Sequence, residues 1–283
     1  MKVAITGAGG QLGRELTSSL ARLGCSVLPF SRDEWDITDA YSTAERMKEV
    51  APEVLINAAA FTAVDLCETQ REEAFLINAI APFYLAREAK RLQARFIHIS
   101  TDYVFSGDQS VPWEEQDPPF PLNAYGESKR AGETLAMAAN PDTLIIRTSW
   151  LYGHGGKNFV NTIARLLQTE SKLEVVRDQM GSPTYTKDLA EAVYFLLEQA
   201  PGIYHVSNGG SCSWFEFAKE IAAFLKSGAE IEPVSTEAYG LPARRPPFSV
   251  LGNKKLNSCG FFMRNWKDAL YDYLAKEAES DAN

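Results

Sequence analysis

The sequence contains few of the residues from which metal centres and disulfide frameworks are built. Its four cysteines are scattered and form no C-x-x-C pair (Cys25, Cys67, Cys212 and Cys259). Its three histidines are also dispersed along the chain. Scattered cysteines of this kind are typical of reduced, partly buried thiols in a cytoplasmic protein. We therefore expect neither a disulfide framework nor a metal site.

The features that mark nucleic-acid-binding and membrane proteins are lacking as well. The chain of 283 residues has a formal net charge of -9 and no dense run of lysine and arginine, which makes nucleic acid a poor candidate partner. No apolar run is long enough to span a bilayer, and MKVAITGAGG at the start reads as a strand and a glycine turn, not as a signal peptide. We expect no nucleic acid, no membrane and a cytoplasmic location.

What is present is a regular alternation of short apolar strands and amphipathic helices. Strands are predicted at Lys2–Thr6, Ser26–Phe30, Val54–Asn57, 95–100, Leu144–Thr148 and 202–206. Helices are predicted at about 11–23, 40–50, 71–92, 188–198 and 265–278, with further helices beginning in AYGESK and SWFE. Such alternation predicts βαβ units around a parallel sheet.

After Trp150 the pattern changes to polar loops that are rich in glycine and proline. We predict an α/β fold, a Rossmann-like doubly wound parallel sheet with a smaller discontinuous substrate domain. The dinucleotide-binding domain would comprise residues 1–150 plus about 186–226. The substrate-binding domain would comprise about 151–185 and 227–283.

A glycine-rich loop, TGAGGQLG at 6–13, lies between the first strand and the first helix. Gly7 permits a tight turn, Gly10 lets the backbone approach a pyrophosphate, and Gly13 lets the helix pack close to the sheet. The amides of the helix N-terminus would face the phosphates. Strand, loop and helix in this order predict a dinucleotide site.

The end of the second strand bears on which nicotinamide cofactor binds. An acidic residue here would hold the 2′-hydroxyl of NAD, whereas an arginine suits a 2′-phosphate. Ser31 and Arg32 come first, so we predict NADP(H); Asp33 and Glu34 follow at once and weaken the preference.

Tyr125 and Lys129 lie one helical turn apart in AYGESKRAGE. Residues four apart share a helix face, so the pair is either a simple surface pair or a phenol acidified by a nearby ammonium. A phenol aimed at a ketone oxygen can donate its proton during hydride transfer. The hydroxyl of Thr101, after the fourth strand, could donate a second hydrogen bond.

The glycine loop, Y-x-x-x-K and this hydroxyl together resemble the extended short-chain dehydrogenase/reductase superfamily. Longer blocks are similar to the dTDP-4-dehydrorhamnose reductase family: NAAAFTAVDLCE (57–68), STDYVFSG (100–107), PLNAYGESKRAGE (121–133), RTSWLYG (147–153), DQMGSPT (178–184) and RRPPFSVL (244–251). They appear in order and cover most of the chain.

The resemblance implies hydride transfer from NADPH to C4 of a dTDP-linked 4-keto-6-deoxysugar, giving dTDP-L-rhamnose for surface polysaccharide. It implies Tyr125 as acid/base, Lys129 as its partner and Thr101 as the third catalytic group, with Lys129 also holding the nicotinamide ribose. Further cofactor contacts would be Gln11, Leu12, Asp36, Ile37, Ala59, Ala60 and Phe61. Substrate contacts would be Thr101, Asp102 and Trp150. Trp150 could equally be a residue of the hydrophobic core.

Two further sites are open to alternative interpretations. Arg245 could clamp the substrate diphosphate with its fork of donors, or be a solvated loop charge, and Arg244 is an alternative candidate. Some members of the family are described with a magnesium-linked dimer. Glu15 is available for it, but Lys187 stands where a second carboxylate would be expected, so we predict no metal and leave a homodimer open.

Three rival functions share the predicted fold. A nucleotide-sugar 4,6-dehydratase would carry Asp-Glu after the threonine, whereas here Asp102 and Tyr103 follow Thr101. A 4-epimerase would retain its cofactor through a closed redox cycle. A non-catalytic regulatory subunit, like that of methionine adenosyltransferase, would bind NADP without turnover. The complete Thr101, Tyr125 and Lys129 set favours catalysis.

Overall fold

The computed structural model describes residues 1–281. Its strands are β1 Lys2–Thr6, β2 Ser26–Phe30, β3 Val54–Asn57, β4 Arg95–Thr101, β5 Leu144–Thr148, β6 Leu151–Tyr152, β7 Lys172–Val176, β8 Met180–Gly181, β9 Thr184–Tyr185, β10 Gly202–His205, β11 Cys212–Ser213 and β12 Glu230–Val234. Its helices are α1 Gln11–Arg22, α2 Ala40–Val50, α3 Val64–Thr69, α4 Arg71–Phe75, α5 Ala81–Arg91, α6 Ala124–Ala139, α7 Phe159–Thr169, α8 Thr186–Leu196, α9 Trp214–Leu225, α10 Thr236–Tyr239, α11 Lys254–Ser258 and α12 Trp266–Asp281. A π-helical turn, Leu76–Ile80, joins α4 to α5.

Six strands form one parallel sheet in the order β10-β5-β4-β3-β1-β2. From β1 the chain first adds β2 on one side and then returns to add β3, β4, β5 and β10 on the other side of β1. The strand order therefore reverses between β1 and β3, and ligands of such sheets bind at this reversal, beyond the carboxyl ends of the strands. The predicted Rossmann-like fold is confirmed.

Helices cover both faces of the sheet, as a parallel sheet requires. Val3 and Ile5 of β1 pack against Leu189 of α8 on one face. Ala4, between them, packs with Leu85 of α5 on the other. This alternation explains why β1 and its neighbours appear in the sequence as continuous apolar runs.

A second hydrophobic cluster lies outside the sheet and is rich in aromatic side chains. It joins α7, α9, α12 and the parallel pair β7–β12. The predicted cofactor segment 186–226 is divided: α8 and β10 join the sheet, whereas α9 packs Phe217 and Ile221 into the second cluster. The capping box of Ser213 and Glu216 marks where α9 begins, but a cap carries no information about the packing partner.

Most predicted elements agree with the structure to within two residues, and local caps explain why. Asp39 accepts hydrogen bonds from the amides of Tyr41 and Ser42 at the start of α2, and Gly24 adopts a left-handed φ of +86° just after α1. Helix α7, the pair β7–β12 and the π-helical turn were not predicted. No helix within residues 1–281 is long and apolar enough to cross a membrane.

Candidate active site

The three predicted catalytic residues come from two elements that meet at the carboxyl end of the sheet. Thr101 ends β4, and Tyr125 and Lys129 lie on the first turns of α6. The start of α6 is fixed because the Asn123 side chain accepts a hydrogen bond from Gly126 N at 2.8 Å. All three catalytic candidates line one cavity of about 490 Å³, so the structure brings them together.

Tyr125 is partly buried, with its ring edge-on to that of Tyr103 at a centroid distance of 5.7 Å. Burial raises the pKa of its phenol above the ordinary value, and the hydrogen-bonding hydroxyl of Thr101 opposes this rise. The expected lowering of this pKa by Lys129 is therefore wrong for the protein alone. In this structure the phenol is held in its protonated form.

Lys129 is buried and has no carboxylate as a direct partner among the described residues. Its Nζ donates to the carbonyl of Ile99 at 2.7 Å and lies 3.3 Å from His98 Nε2. Burial lowers the pKa of Lys129 to about 8, and Glu133 acts in the opposite direction. A carbonyl and an imidazole thus replace the anion that usually accompanies a buried ammonium.

Asp102 is a buried carboxyl group next to Thr101, one of the predicted catalytic residues. Thr101 Oγ1 donates to Asp102 Oδ1 at 3.0 Å and accepts from Tyr103 N at 3.2 Å. Burial raises the pKa of Asp102 to about 7, against the lowering effect of the Ser249 and Thr101 hydroxyls. Asp102 lines the same cavity as Thr101, so it can contact a ligand held there.

A second cavity of about 310 Å³ adjoins the first at the reversal of strand order. The two share Gly9, Gly10, Ala58 and Ala60 and so form one groove. Of the predicted cofactor residues, Gly7, Gly10, Arg32, Asp36, Ile37, Ala59, Ala60 and Phe61 line the second cavity, and Gly10, Gln11, Leu12 and Gly13 line the first. Ser31 lines neither, and its amide and hydroxyl donate to Glu34 Oε2 instead.

The glycine loop has the shape that a dinucleotide pyrophosphate needs. Gly7 has a φ of +73°, and a Cβ there would lie 2.5 Å from Ala59 N. A Cβ on Gly13 would lie 2.2 Å from the Gly7 carbonyl. Gly10 is the N-cap of helix α1 and offers no side-chain cap, so the first amides of the helix are available to phosphate oxygens. The loop and the two cavities fit a nicotinamide dinucleotide.

The π-helical turn supplies a positioning residue that sequence reasoning missed. Asn78 accepts from Phe61 N at 2.8 Å and donates to Phe61 O at 2.9 Å. It also donates to Ser128 Oγ on α6 at 3.0 Å. Asn78 therefore links the cofactor groove to helix α6, and π-helical turns are frequent at functional sites. The sequence signal, a single asparagine in an apolar helical stretch, was too weak to reveal this.

Trp150 lines the first cavity, whereas Arg245 belongs to a third cavity of about 350 Å³. Trp150 has a left-handed φ of +47° and stacks on Trp214 at 3.5 Å with an interplanar angle of 6°. Arg245 lines the third cavity and binds both carboxylate oxygens of Asp65 at 2.7 Å. The role of Asp65 in orienting Arg245 was missed, because the sequence showed only a polar position on a helix.

Among residues 1–281, no group of three His, Cys, Asp or Glu side chains could hold a metal ion. Glu15 Oε1 accepts from Ser19 Oγ at 2.7 Å. Lys187 Nζ lies 3.5 Å from Asp272 Oδ2.

Comparison with known proteins places these features in context. The family described as RmlD substrate binding domain matches residues 1–279. The spore coat polysaccharide biosynthesis protein SpsK of Bacillus subtilis is 48% identical, over 99% of each chain. A dTDP-4-dehydrorhamnose reductase from Clostridium acetobutylicum superposes with a TM-score of 0.96 at 42% identity, covering 98% of this chain and 100% of that one. One from Bacillus anthracis, in complex with NADP, gives 0.95 at 41% identity, covering 97% and 99%.

Proposed function

Because the chain belongs to the family of the RmlD substrate binding domain, we propose that it is an NADPH-dependent oxidoreductase of nucleotide-sugar biosynthesis. The reaction is reduction of the C4 ketone of dTDP-4-dehydro-L-rhamnose to dTDP-L-rhamnose. The observation that carries the proposal is that Thr101, Tyr125 and Lys129 line one cavity, which joins the second cavity in a groove that fits a dinucleotide.

NADP(H) is supported by the fit of the groove and by the NADP complex of the Bacillus anthracis relative. When bound, NADPH supplies the hydride. Arg32, exposed at the edge of the second cavity, is available to a 2′-phosphate. Gln11 is held in place because its Nε2 donates to Leu151 O at 3.1 Å, and it lines the first cavity together with Leu12.

Reduction of a ketone develops negative charge on its oxygen, and two hydroxyl groups of this chain can stabilise that charge. Burial keeps Tyr125 protonated, which is the form that a proton donor to an alkoxide must have. Thr101 can donate the second hydrogen bond. Asp102 Oδ1 accepts from the Thr101 hydroxyl in this structure, so substrate would take over that hydrogen bond. Lys129 orients the reacting groups from the buried side of the cavity.

The region built around the second hydrophobic cluster is proposed to bind the sugar nucleotide. Asp102 and Trp150 would contact the sugar, and Arg245 would contact the diphosphate. Phe159, Leu166 and Trp214 give the third cavity apolar walls that suit a nucleobase. Asp65 holds the guanidinium of Arg245, so the arginine meets the ligand already oriented. We propose that the substrate domain comprises 151–185 and 227–283 together with α9, and that the sheet domain comprises the rest.

Recombinant protein with NADPH and dTDP-4-dehydro-L-rhamnose should oxidise NADPH and form dTDP-L-rhamnose in equal amounts. The protein should be purified free of nicotinamide, because a reductase releases NADP+ after each turnover. An epimerase would retain cofactor and convert its substrate without net oxidation. A regulatory subunit would bind NADPH and turn over nothing, and either result from folded protein would refute the proposal.

We further propose that the protein acts in the cytoplasm, where NADPH and nucleotide sugars are available, and that it forms a homodimer. The dimer is tested by sedimentation equilibrium, with a single species at the monomer mass counting against it. Adding magnesium or a chelator should leave that mass unchanged if no metal links the protomers.

A further inference from the structure

A hydrogen-bonded row of side chains leads across the sheet to Lys129. Thr6, Asn57 and His98 are register partners on β1, β3 and β4, so their side chains line up on the face of the sheet that α5 and α6 cover. All three are buried. The row ends where His98 Nε2 lies 3.3 Å from Lys129 Nζ.

One backbone amide fixes the orientation of the Asn57 side chain. Ala59 N lies 3.1 Å from Asn57 Oδ1, and Thr6 Oγ1 lies 2.8 Å from the same atom. A backbone N–H can only donate, so the atom that it meets must be the amide oxygen. The Asn57 amide nitrogen, which also can only donate, therefore points at His98 Nδ1, 3.0 Å away.

The orientation of Asn57 determines which nitrogen of His98 carries the hydrogen. A ring nitrogen that faces an N–H donor must offer a lone pair, so His98 Nδ1 is the acceptor. The neutral ring then carries its hydrogen on Nε2. Burial and the nearby Lys129 lower the pKa of His98 well below its ordinary value, which keeps the ring neutral.

We propose that His98 is a positioning residue that directs its Nε2–H at Lys129 Nζ and so favours the neutral amine of Lys129 over the ammonium. An ammonium has no lone pair and could not accept this hydrogen. An amine can accept it and still donate to Ile99 O, which lies at 2.7 Å. The lowering of the Lys129 pKa to about 8 has the direction that this arrangement requires.

The other ionisable groups near Lys129 do not cancel the effect of His98. Glu133, one turn further along α6, favours the ammonium, but both its oxygens bind Arg147, at 2.9 and 2.7 Å. Tyr125 is neutral because of its burial, and Asp102 lines the same cavity with its own pKa raised to about 7. Lys129 can therefore change its protonation state near neutral pH. The consequence for turnover rests on the proposed reductase function, whereas the tautomer of His98 does not.

The tautomer can be read directly from proton–nitrogen correlation spectra of the 15N-histidine-labelled protein. His205 is an internal reference, because its Nδ1 faces the Trp113 carbonyl at 2.9 Å and its Nε2 faces Arg147 Nη1 at 3.4 Å. We expect hydrogen on Nδ1 of His205 and on Nε2 of His98. Hydrogen on Nδ1 of His98 would overturn the proposal, whether or not the protein proves to be a reductase.

The Asn57→Asp variant tests the link to Lys129. Aspartate can only accept, so His98 should move its hydrogen to Nδ1 and present a lone pair to Lys129. Titration of the lysine 13Cε resonance, assigned with Lys129→Met, should place the Lys129 pKa at least one pH unit above that of wild type. The alkaline limb of kcat/KM should move upward equally, and Asn265→Asp, the same change at an exposed cap, should move neither.

Two outcomes of the Asn57→Asp titration contradict the proposal in folded protein. One is an unchanged Lys129 pKa despite a switched His98 tautomer. The other is a raised pKa with hydrogen still on His98 Nε2, which would mean that the new negative charge acts by itself. If both NMR results hold but no NADPH is oxidised by wild type, the proposed function fails and the inference about Lys129 stands.

Discussion

Helix α6 carries two buried ionisable groups one turn apart, Lys129 and Glu133. The fold gives Glu133 an oppositely charged partner and gives Lys129 only uncharged partners. Glu133 accepts two hydrogen bonds from Arg147 and one from Ser100 Oγ. Lys129 meets one carbonyl and one imidazole. The two residues lie on one helix and are both buried, so their partners are what distinguishes them.

This difference separates a structural site from a reactive one. A buried charge with a complete set of partners is fixed in one protonation state, and removing a partner is costly. A buried group without a counter-charge has a shifted pKa and can change state. The Glu133 end of α6 should therefore govern stability and the Lys129 end activity, and substitutions can test each half of that statement.

The largest effect should follow from Tyr125→Phe at the reactive end. Loss of a positioned proton donor is expected to lower kcat by about 10²- to 10⁴-fold. NADPH affinity and Tm should change little, because a phenyl ring keeps the packing against Tyr103. Steady-state kinetics, fluorescence titration with NADPH and a thermal melt measure the three quantities.

Tyr204→Phe is the matched control, because it removes the hydroxyl of another buried tyrosine. Tyr204 lies on the edge strand β10, and its hydroxyl donates to Ala200 O. It should retain wild-type turnover. Near-normal kcat in Tyr125→Phe, or an equal loss in the control, would show that the phenol of Tyr125 has no special part in the reaction.

The next effect should follow from Arg147→Met at the structural end. The substitution leaves Glu133 buried without its cation, which costs about 3–5 kcal/mol of the free energy of unfolding. It also removes the guanidinium 5.0 Å from the Phe105 ring. Urea denaturation should show the loss, while kcat per folded molecule stays within about threefold of wild type.

The double variant Arg147→Met with Glu133→Met should regain most of that stability, because it removes the unpaired charge as well. If the single variant were fully stable, or if it lost activity in proportion to Tyr125→Phe, then the two ends of α6 would not be separate in function.

A smaller effect should come from Gly181→Ala. This substitution tests whether the stacked rings of Trp150 and Trp214 contribute to turnover together with the reactive groups. A Cβ at position 181 would lie 2.3 Å from Trp150 Cε2, so the indole must move, at a cost of about 1–3 kcal/mol. We expect kcat/KM for the sugar nucleotide to fall about tenfold with KM for NADPH unchanged. Gly228→Ala, where nothing lies within 4 Å of the new Cβ, should change neither.

The sheet could be predicted from the sequence because its signals are local. Short, mostly apolar strands such as β3, and caps such as Asp39, depend on neighbours in the chain. The second cluster could not be predicted in the same way. Paired residues of strands β7 and β12 are 58 positions apart in the sequence (Lys172 with Glu230), and nothing in either segment identifies the other.

The candidate site shows the same limit. Spacing placed Tyr125 and Lys129 on one helix face, but it could not show that burial raises the pKa of Tyr125 or that Lys129 bonds to Ile99 and faces His98. The partners come from strands and loops that only the fold brings near. A pKa shift depends on those partners, so its direction could not be predicted from the sequence pattern.

The smallest effect should be that of Arg32→Asp, at the position where the sequence offered both an arginine and two acids. The structure shows Glu34 bound to Ser31 at 2.7 Å and Arg32 with its side chain 79% exposed, 3.7 Å from Glu73. Arg32 is therefore free to turn toward a 2′-phosphate, and a charge-assisted hydrogen bond of this kind is worth about 1.5–3 kcal/mol. Because Arg32 is exposed and solvent weakens this interaction to about 1 kcal/mol, we expect KM for NADPH to rise about fivefold and KM for NADH to change less than about twofold. Lys219→Asp, the same charge change on α9, should alter neither constant, and an equal rise for both cofactors in Arg32→Asp would mean that Arg32 does not distinguish them.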